Sequence, residues 1–174
     1  DHFNCDINEV RKGVGFDSRI SNKFLYAGCG YGGSCFPKDI KEMIALARKT
    51  DLPLRILNSV EEVNAHQKEL PFIKLKSVLP NQVESRIISV WGAAFKPNTD
   101  DIREAPALRF IEMAVDDNFH INIYDPCAID NLEKWIALNN YSENVTCFSS
   151  AYDALADAAA LVVLTEWREF RVPD

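Results

Sequence analysis

Apolar residues recur at helical spacing in the first half of the chain and gather into short continuous runs in the second. Asp6, followed three residues later by Glu9, opens a short helix that Gly13 and Gly15 are expected to stop. Ile40, Met43, Ile44 and Ala47 form the apolar stripe of a second helix, which Pro37 suits in its first turn. From Pro53 a longer helix carries Ile56, Val60, Val63, Gln67 and Leu70; Pro71 is expected to kink or restart it, with a further turn or two through Leu75 and Leu79 to Pro80. Near residue 86 the period changes. Ile87 to Trp91 is a strand, followed by a helix bearing Leu108, Phe110, Ile111, Ala114 and Val115 and by a strand from His120 to Tyr124. A strand from Val145 to Phe148, a helix capped by Ser149 or Ser150 and running through Leu155, and a strand from Ala160 to Leu164 complete the pattern. The alternation predicts right-handed crossovers and a doubly wound parallel sheet, with ligands at the carboxyl ends of its strands, where Lys96, Asp100, Asp101 and Arg103 fall. The chain reads as α/β in two parts, a helical region over 1–80 and a Rossmann-like parallel-sheet domain over 81–174, with a linker near Pro80-Asn81-Gln82.

Composition narrows the function. With 174 residues, 47% of them apolar and 26% charged, the chain can bury a core. No apolar run approaches the roughly 18 to 20 residues of a membrane span, and no signal-peptide pattern opens the chain, so no membrane association and a cytoplasmic location are expected. The five cysteines, Cys5, Cys29, Cys35, Cys127 and Cys147, are scattered and show no zinc or disulfide spacing, and the three histidines add no metal pattern. A net charge of −7 argues against nucleic acid. Cations nonetheless collect locally, at Arg19, Lys23, Lys38, Lys41, Lys96 and Arg103. Lys41 reads as an ordinary solvated charge and Lys96 as a functional one.

The densest chemistry lies in Gly28-Cys29-Gly30-Tyr31-Gly32-Gly33-Ser34-Cys35-Phe36-Pro37-Lys38-Asp39, which holds four of the seven glycines between positions 28 and 33. Such a run lets the backbone approach a ligand closely. Cys35 ends it at the start of a helix, where the macrodipole and nearby Lys38 favour thiolate over thiol; Asp39 follows roughly one turn later. A lone cysteine is more often packed and inert, but this setting favours a nucleophile. Gly28, Gly30 and Gly33 also satisfy G-x-G-x-x-G, yet no apolar strand precedes them, so the dinucleotide reading is set aside. Trp91-Gly92, followed by a helix and by Asp125 at a strand end, echoes a Rossmann unit with a single glycine where a pyrophosphate needs several.

The stretch from Arg19 to Asp39 closely resembles the active-site segment of UDP-glucose 6-dehydrogenases, in the UDP-glucose/GDP-mannose dehydrogenase family. Gly92 to Pro106 resembles the family's second signature in its bacterial form, and Tyr124-Asp125-Pro126 and Thr165-Glu166-Trp167 follow in the family's order. The resemblance implies the central and C-terminal parts of a larger enzyme. The family's N-terminal NAD-binding domain, with a lysine and an asparagine that assist the chemistry, is absent from the segment, which is therefore expected to be inactive alone. It further implies Cys35 as nucleophile, through a thiohemiacetal and a thioester, and Asp39 as the carboxylate that positions or activates water. Phe24, Leu25, Tyr26, Gly30 and Lys96 match substrate-binding positions, Arg19 an arginine that a neighbouring subunit donates, and Arg103 one that reaches the cofactor. Read from the residues alone, Asp39 is also a plain first-turn acid, and Phe24 and Leu25 are also core residues. The implied ligands are UDP-glucose and NAD, with UDP-glucuronate as product, and the implied partner is a second copy docked through the long helix, whose stripe suits an intramolecular core equally well. GDP-mannose and UDP-N-acetylhexosamine dehydrogenases share the plan, and a non-catalytic nucleotide-binding or dimerisation module would keep the same fold; the two signature blocks look more like the UDP-glucose branch. Asn64 reads as a polar core residue or a supporting group and is not among the site residues.

Overall fold

The computed structural model describes residues 2–80 and 85–171. The chain is α/β, with a helical first half and a parallel sheet in the second.

α1 (Ile7–Gly15) begins where the Asp6 carboxylate accepts the backbone N–H of Asn8 at 2.8 Å. It runs straight through Gly13, where the sequence suggested a stop, and ends only at Gly15. Glu9 pairs with Lys12 at 2.6 Å rather than closing a capping box. α2 (Phe36–Arg48) has Pro37 in its first turn and turns Pro37, Ile44 and Ala47 inward, while Met43, expected in the stripe, is exposed. α3 (Arg55–Val78) continues unbroken past Pro71. Phe72 and Leu75, directly after the proline, are buried, and their packing outweighs the hydrogen bond that Pro71 cannot donate. The face that reads as a core stripe instead points outward: Ile56 is 79% and Val63 65% exposed, so the intramolecular-core reading of that half of α3 fails.

β1 (Ile87–Trp91), α4 (Pro106–Asp116) and β2 (His120–Tyr124) form as the pattern suggests. α5 (Ile129–Leu138), which the sequence reading did not name, buries Leu132 and Ile136 at i, i+4 spacing and carries the chain to β3 (Val145–Cys147). The helix expected through Leu155 is a 3-10 turn over Asp153–Leu155; Ser150 Oγ accepts the Asp153 N–H at 3.4 Å, and Asp157 adopts a left-handed φ of 57° just beyond it. β4 (Ala160–Val163) then returns to the far side of β1.

All strand pairs are parallel and the order is β3-β2-β1-β4, with Trp91 aligned to Tyr124 and Val163. The direction of winding therefore reverses beside β1, and the crevice outside the carboxyl ends of β1 and β4 is where an open α/β sheet takes ligands. The core centres on Ile88, Val90, Phe110, Ile111, Ile121, Ile123 and Leu132. α3 joins it: the Phe72 ring meets Phe110 edge-on at 5.8 Å and Phe119 at 6.4 Å. The helix that supports the glycine loop is thus seated on the sheet layer. The linker expected at Pro80-Asn81-Gln82 falls largely in 81–84, outside the described residues. No helix among the described residues is long and apolar enough to cross a membrane.

Candidate active site

The glycine run is a loop with no strand before it, held between α3 and the segment that follows β1. Its glycines answer to close approach within the protein. A Cβ on Gly32 would sit 2.5 Å from the Glu104 carbonyl oxygen, and Gly33, at φ +88°, lies against the Phe95 ring and donates its N–H to the Arg103 carbonyl at 2.7 Å. Cys35 follows as the N-cap residue of α2; it is exposed, with Ser34 Oγ 3.7 Å from its Sγ, and its carbonyl accepts the Asp39 N–H at 2.9 Å. Asp39 is exposed in the first turn. Lys38, expected to support the thiolate, pairs instead with Glu42 at 3.7 Å. Arg103 lies within electrostatic reach of Cys35, and its guanidinium forks onto Asp101 at 2.9 and 2.7 Å. That pairing holds the Asp101 carboxyl below the usual range and the Arg103 guanidinium above its own.

The segment after β1 is set by a buried carboxylate. Asp125, 2% exposed, accepts the N–H groups of Ala93 (2.8 Å) and Ala94 (3.0 Å) and the Trp167 indole N–H (3.1 Å) on one oxygen; the other accepts Cys127 (2.9 Å) and Ala128 (2.8 Å) at the head of α5. Thr165 Oγ1 donates to the Ala94 carbonyl at 2.6 Å. The ends of β1, β2 and β4 are thereby tied together, which gives Tyr124-Asp125-Pro126 and Thr165-Glu166-Trp167 a structural role. Glu104 provides a second tie, to Lys41 of α2 and, at 3.2 Å, to Lys68 of α3, whose side chain is only 11% exposed. Lys41 is thus an ion-pair partner, not the free surface charge expected. The hydrogen bond from Lys41 and the pairing with Lys68 keep the Glu104 carboxyl below its ordinary range against the opposing effect of burial.

Between these parts lies a cleft of about 410 Å³, lined by Tyr26, Gly28, Cys29 and Gly30 on one side and by Phe95, Lys96, Leu164, Thr165 and Glu166 on the other. It opens at the carboxyl ends of β1 and β4. Lys96 is exposed there, its ammonium 5.2 Å from the Phe95 ring centroid. Cys29 is the cleft's half-buried thiol, donating to the Leu164 carbonyl at 3.5 Å, and burial pushes it up from its ordinary value, away from reactivity.

Of the site residues taken from the sequence, Tyr26, Gly30 and Lys96 therefore meet in one cleft, while Cys35 and Arg103 are associated where the glycine loop joins α2. The others stand apart. Arg19 pairs with Asp17 at 2.6 Å, Phe24 is exposed at a left-handed φ of 62°, and Leu25 is half-buried but lines neither this cleft nor a broader groove beside it. That groove, about 730 Å³, runs along α3 past Ile56, Val60 and Val63 to Tyr26 and Gly30. The sequence reading missed Glu104, Gln67 and the weight of Asn64 and Asp125; Asn64 is the polar residue among the three that α3 buries, with Phe72 and Leu75.

Among the described residues, the turn after β1 builds no dinucleotide cradle. After β1 it offers only Gly92, at φ +99°, and Thr165 fills the space a ligand would need there, 2.5 Å from where a Cβ would lie.

Residues 1–66 match the central domain of the UDP-glucose/GDP-mannose dehydrogenase family, and residues 89–174 match its UDP-binding domain. Similar curated proteins include the UDP-glucose 6-dehydrogenase of Pseudomonas aeruginosa, 43% identical over 97% of this chain, and UDP-glucose 6-dehydrogenase TuaD of Bacillus subtilis, 41% identical over 96%. The chain spans 37% and 35% of their respective lengths. A UDP-glucose dehydrogenase structure from Pyrobaculum islandicum superposes on the whole chain with a TM-score of 0.88 at 29% identity, the chain covering 39% of it. A GDP-mannose dehydrogenase structure from Pseudomonas aeruginosa, at 23% identity and a TM-score of 0.69 over 94% of this chain and 38% of that one, shares the fold. The chain belongs to the UDP-glucose/GDP-mannose dehydrogenase family.

Proposed function

We propose that this family member supplies the nucleophile and the nucleotide-sugar cleft of an NAD-dependent UDP-glucose 6-dehydrogenase, which oxidises UDP-glucose to UDP-glucuronate in the cytoplasm. The observation that carries the reading is the convergence of Tyr26, Gly28, Gly30 and Lys96 on one cleft at the sheet's switch point, with Cys35 heading α2 from the same loop. Lys96, which makes no ion pair among the described residues, is free to meet a diphosphate. Tyr26 offers a ring to the base, and Gly30 a bare backbone.

In this reading two molecules of NAD bound in turn would supply the oxidising power, each accepting one hydride from C6. The first loss turns the alcohol into the aldehyde, to which Cys35 adds as thiolate, forming a carbon–sulfur bond and a thiohemiacetal. The second leaves a thioester. Water, positioned by Asp39 one turn along α2, then attacks the carbonyl, releasing the acid and returning the thiolate. Cys35 stands exposed at the N-terminus of α2, open to an incoming carbonyl. The residues described here do not form the NAD site, and Arg103 is their one contribution toward it. Phe24 and Leu25 are read as contacts to the uridine diphosphate, and Arg19 as a contact made to the substrate of a second copy: Arg19 is exposed, and the outward face of α3 offers that copy an apolar seat.

The test is substitution of Cys35 by Ser in the whole protein that carries this chain. UDP-glucose-dependent formation of the acid is expected to fall by at least about a thousandfold, with nucleotide-sugar binding retained. Activity within tenfold of the parent would remove Cys35 from the mechanism.

A further inference from the structure

No strand pairs with the front of the glycine loop among the described residues; side chains of α3 hold it instead, Asn64 and Gln67 at its backbone and Glu61 at the Tyr31 hydroxyl. Asn64 is 7% exposed, and its amide faces the backbone of Tyr31: Oδ1 accepts the Tyr31 N–H at 2.7 Å and Nδ2 donates to the Tyr31 carbonyl at 3.2 Å. An amide paired with both polar groups of one residue replaces the neighbouring strand that this segment lacks. One turn along, Gln67 Nε2 donates to the Gly28 carbonyl at 2.9 Å. Gly30 lies between them at φ +104°, and a Cβ there would come within 2.8 Å of Asn64 Oδ1 and 3.0 Å of Lys68 Cγ. The loop's far end is fastened by the Gly33 N–H to the Arg103 carbonyl, and Cys35 follows two residues later. Asn64 itself does not line the cleft that holds Lys96; Gly28 and Gly30, the residues it and Gln67 fix, do.

We propose that Asn64, assisted by Gln67, is a positioning residue: its side-chain amide sets the backbone of Gly28 to Tyr31, and through it the floor of the cleft and the presentation of Cys35 at the head of α2. The functional part of this inference rests on the reading of Cys35 and the cleft as the reacting site. The physical reason is that the Tyr31 peptide groups are part-buried with Asn64 as their partner, so truncating the amide leaves a donor and an acceptor unmet and frees the loop.

The experiment uses this chain and needs neither nucleotide sugar nor cofactor. Backbone amide exchange is followed by NMR, and alkylation of Cys35 by iodoacetamide is followed by peptide mass spectrometry, with exposed Cys5 as internal reference. In Asn64→Ser, the Tyr31 amide is expected to exchange at least about tenfold faster while the amides of Val90 and Ile123 in the sheet hold their rates. The Cys35-to-Cys5 alkylation ratio is expected to change by about threefold or more. An unchanged Tyr31 rate overturns the proposal, as does a freed Tyr31 with an unchanged alkylation ratio. If Asn64→Ser loosens the sheet as well, Gln67→Ala decides, because it removes one bond from a half-exposed side chain: the ratio shifts in the same direction with sheet amides unchanged, or the proposal fails. Failure here leaves the nucleophile assignment standing, since that is judged by acid formation in Cys35→Ser.

Discussion

Glu104 shows how a single side chain ties the candidate site together. It sits at a left-handed φ of 55°, its carbonyl closes over Gly32, and its carboxylate meets Lys41 and Lys68 from two different helices. Because these partners depress its carboxyl, the stability it contributes is fully present above the ordinary glutamate value of about 4.3 and is lost as pH falls through the lower folded-state value. Urea midpoints measured from pH 7 down to pH 3 should therefore fall more steeply for the parent chain than for Glu104→Gln, which is the weaker protein at pH 7 and has less to lose on acidification. Parallel curves would show that the ion pairs add nothing, as many exposed pairs do not. At this scale the sequence is legible for Cys35, placed at a helix start by its glycines and Pro37, and illegible for Glu104, whose partners lie 63 and 36 positions away. Lys38 lies close to Cys35 in sequence, and the i, i+4 geometry of the helix sets it beside Glu42 as well.

α3 is the element on which most depends, and its two sides do different things. The inner side seats Phe72 and Leu75 in the sheet's core and reaches the glycine loop through Asn64 and Gln67. The outer side exposes Ile56 and Val63 along a groove that ends at Tyr26 and Gly30. Apolar side chains so exposed in a row suit a second copy of the chain. Replacing both Ile56 and Val63 by Glu is expected to turn a dimer into a monomer in sedimentation equilibrium while leaving the thermal midpoint of the remaining fold within a few degrees. A parent chain that sediments as a monomer would end this account of α3. Periodicity locates the helix but leaves its stripe open between an internal core and a second copy, because spacing reports that one face is apolar and not what covers it. The turns expected beyond Pro71 form within the same helix, where Phe72 and Leu75 pack into the core.

In the molecule as a whole, the helical half and the sheet are one structure, joined where Phe72 enters the core and where Gly33, Lys41 and Lys68 meet the segment after β1. The strands and α4 were readable because parallel-sheet strands are short, apolar runs; α5 was not named because its buried residues are sparse, and the turn at Asp153–Leu155 lacks the length that its cap suggested. The cleft could be anticipated only as a location, at the carboxyl ends of the strands. Its occupant is the central claim, and calorimetric titration of this chain with UDP-glucose against GDP-mannose tests it most directly. The account predicts binding of UDP-glucose at least about tenfold tighter than GDP-mannose, a difference of about 1.4 kcal/mol, and its loss in Lys96→Met. Equal affinity for the two sugars, or UDP-glucose binding indifferent to Lys96, would contradict it.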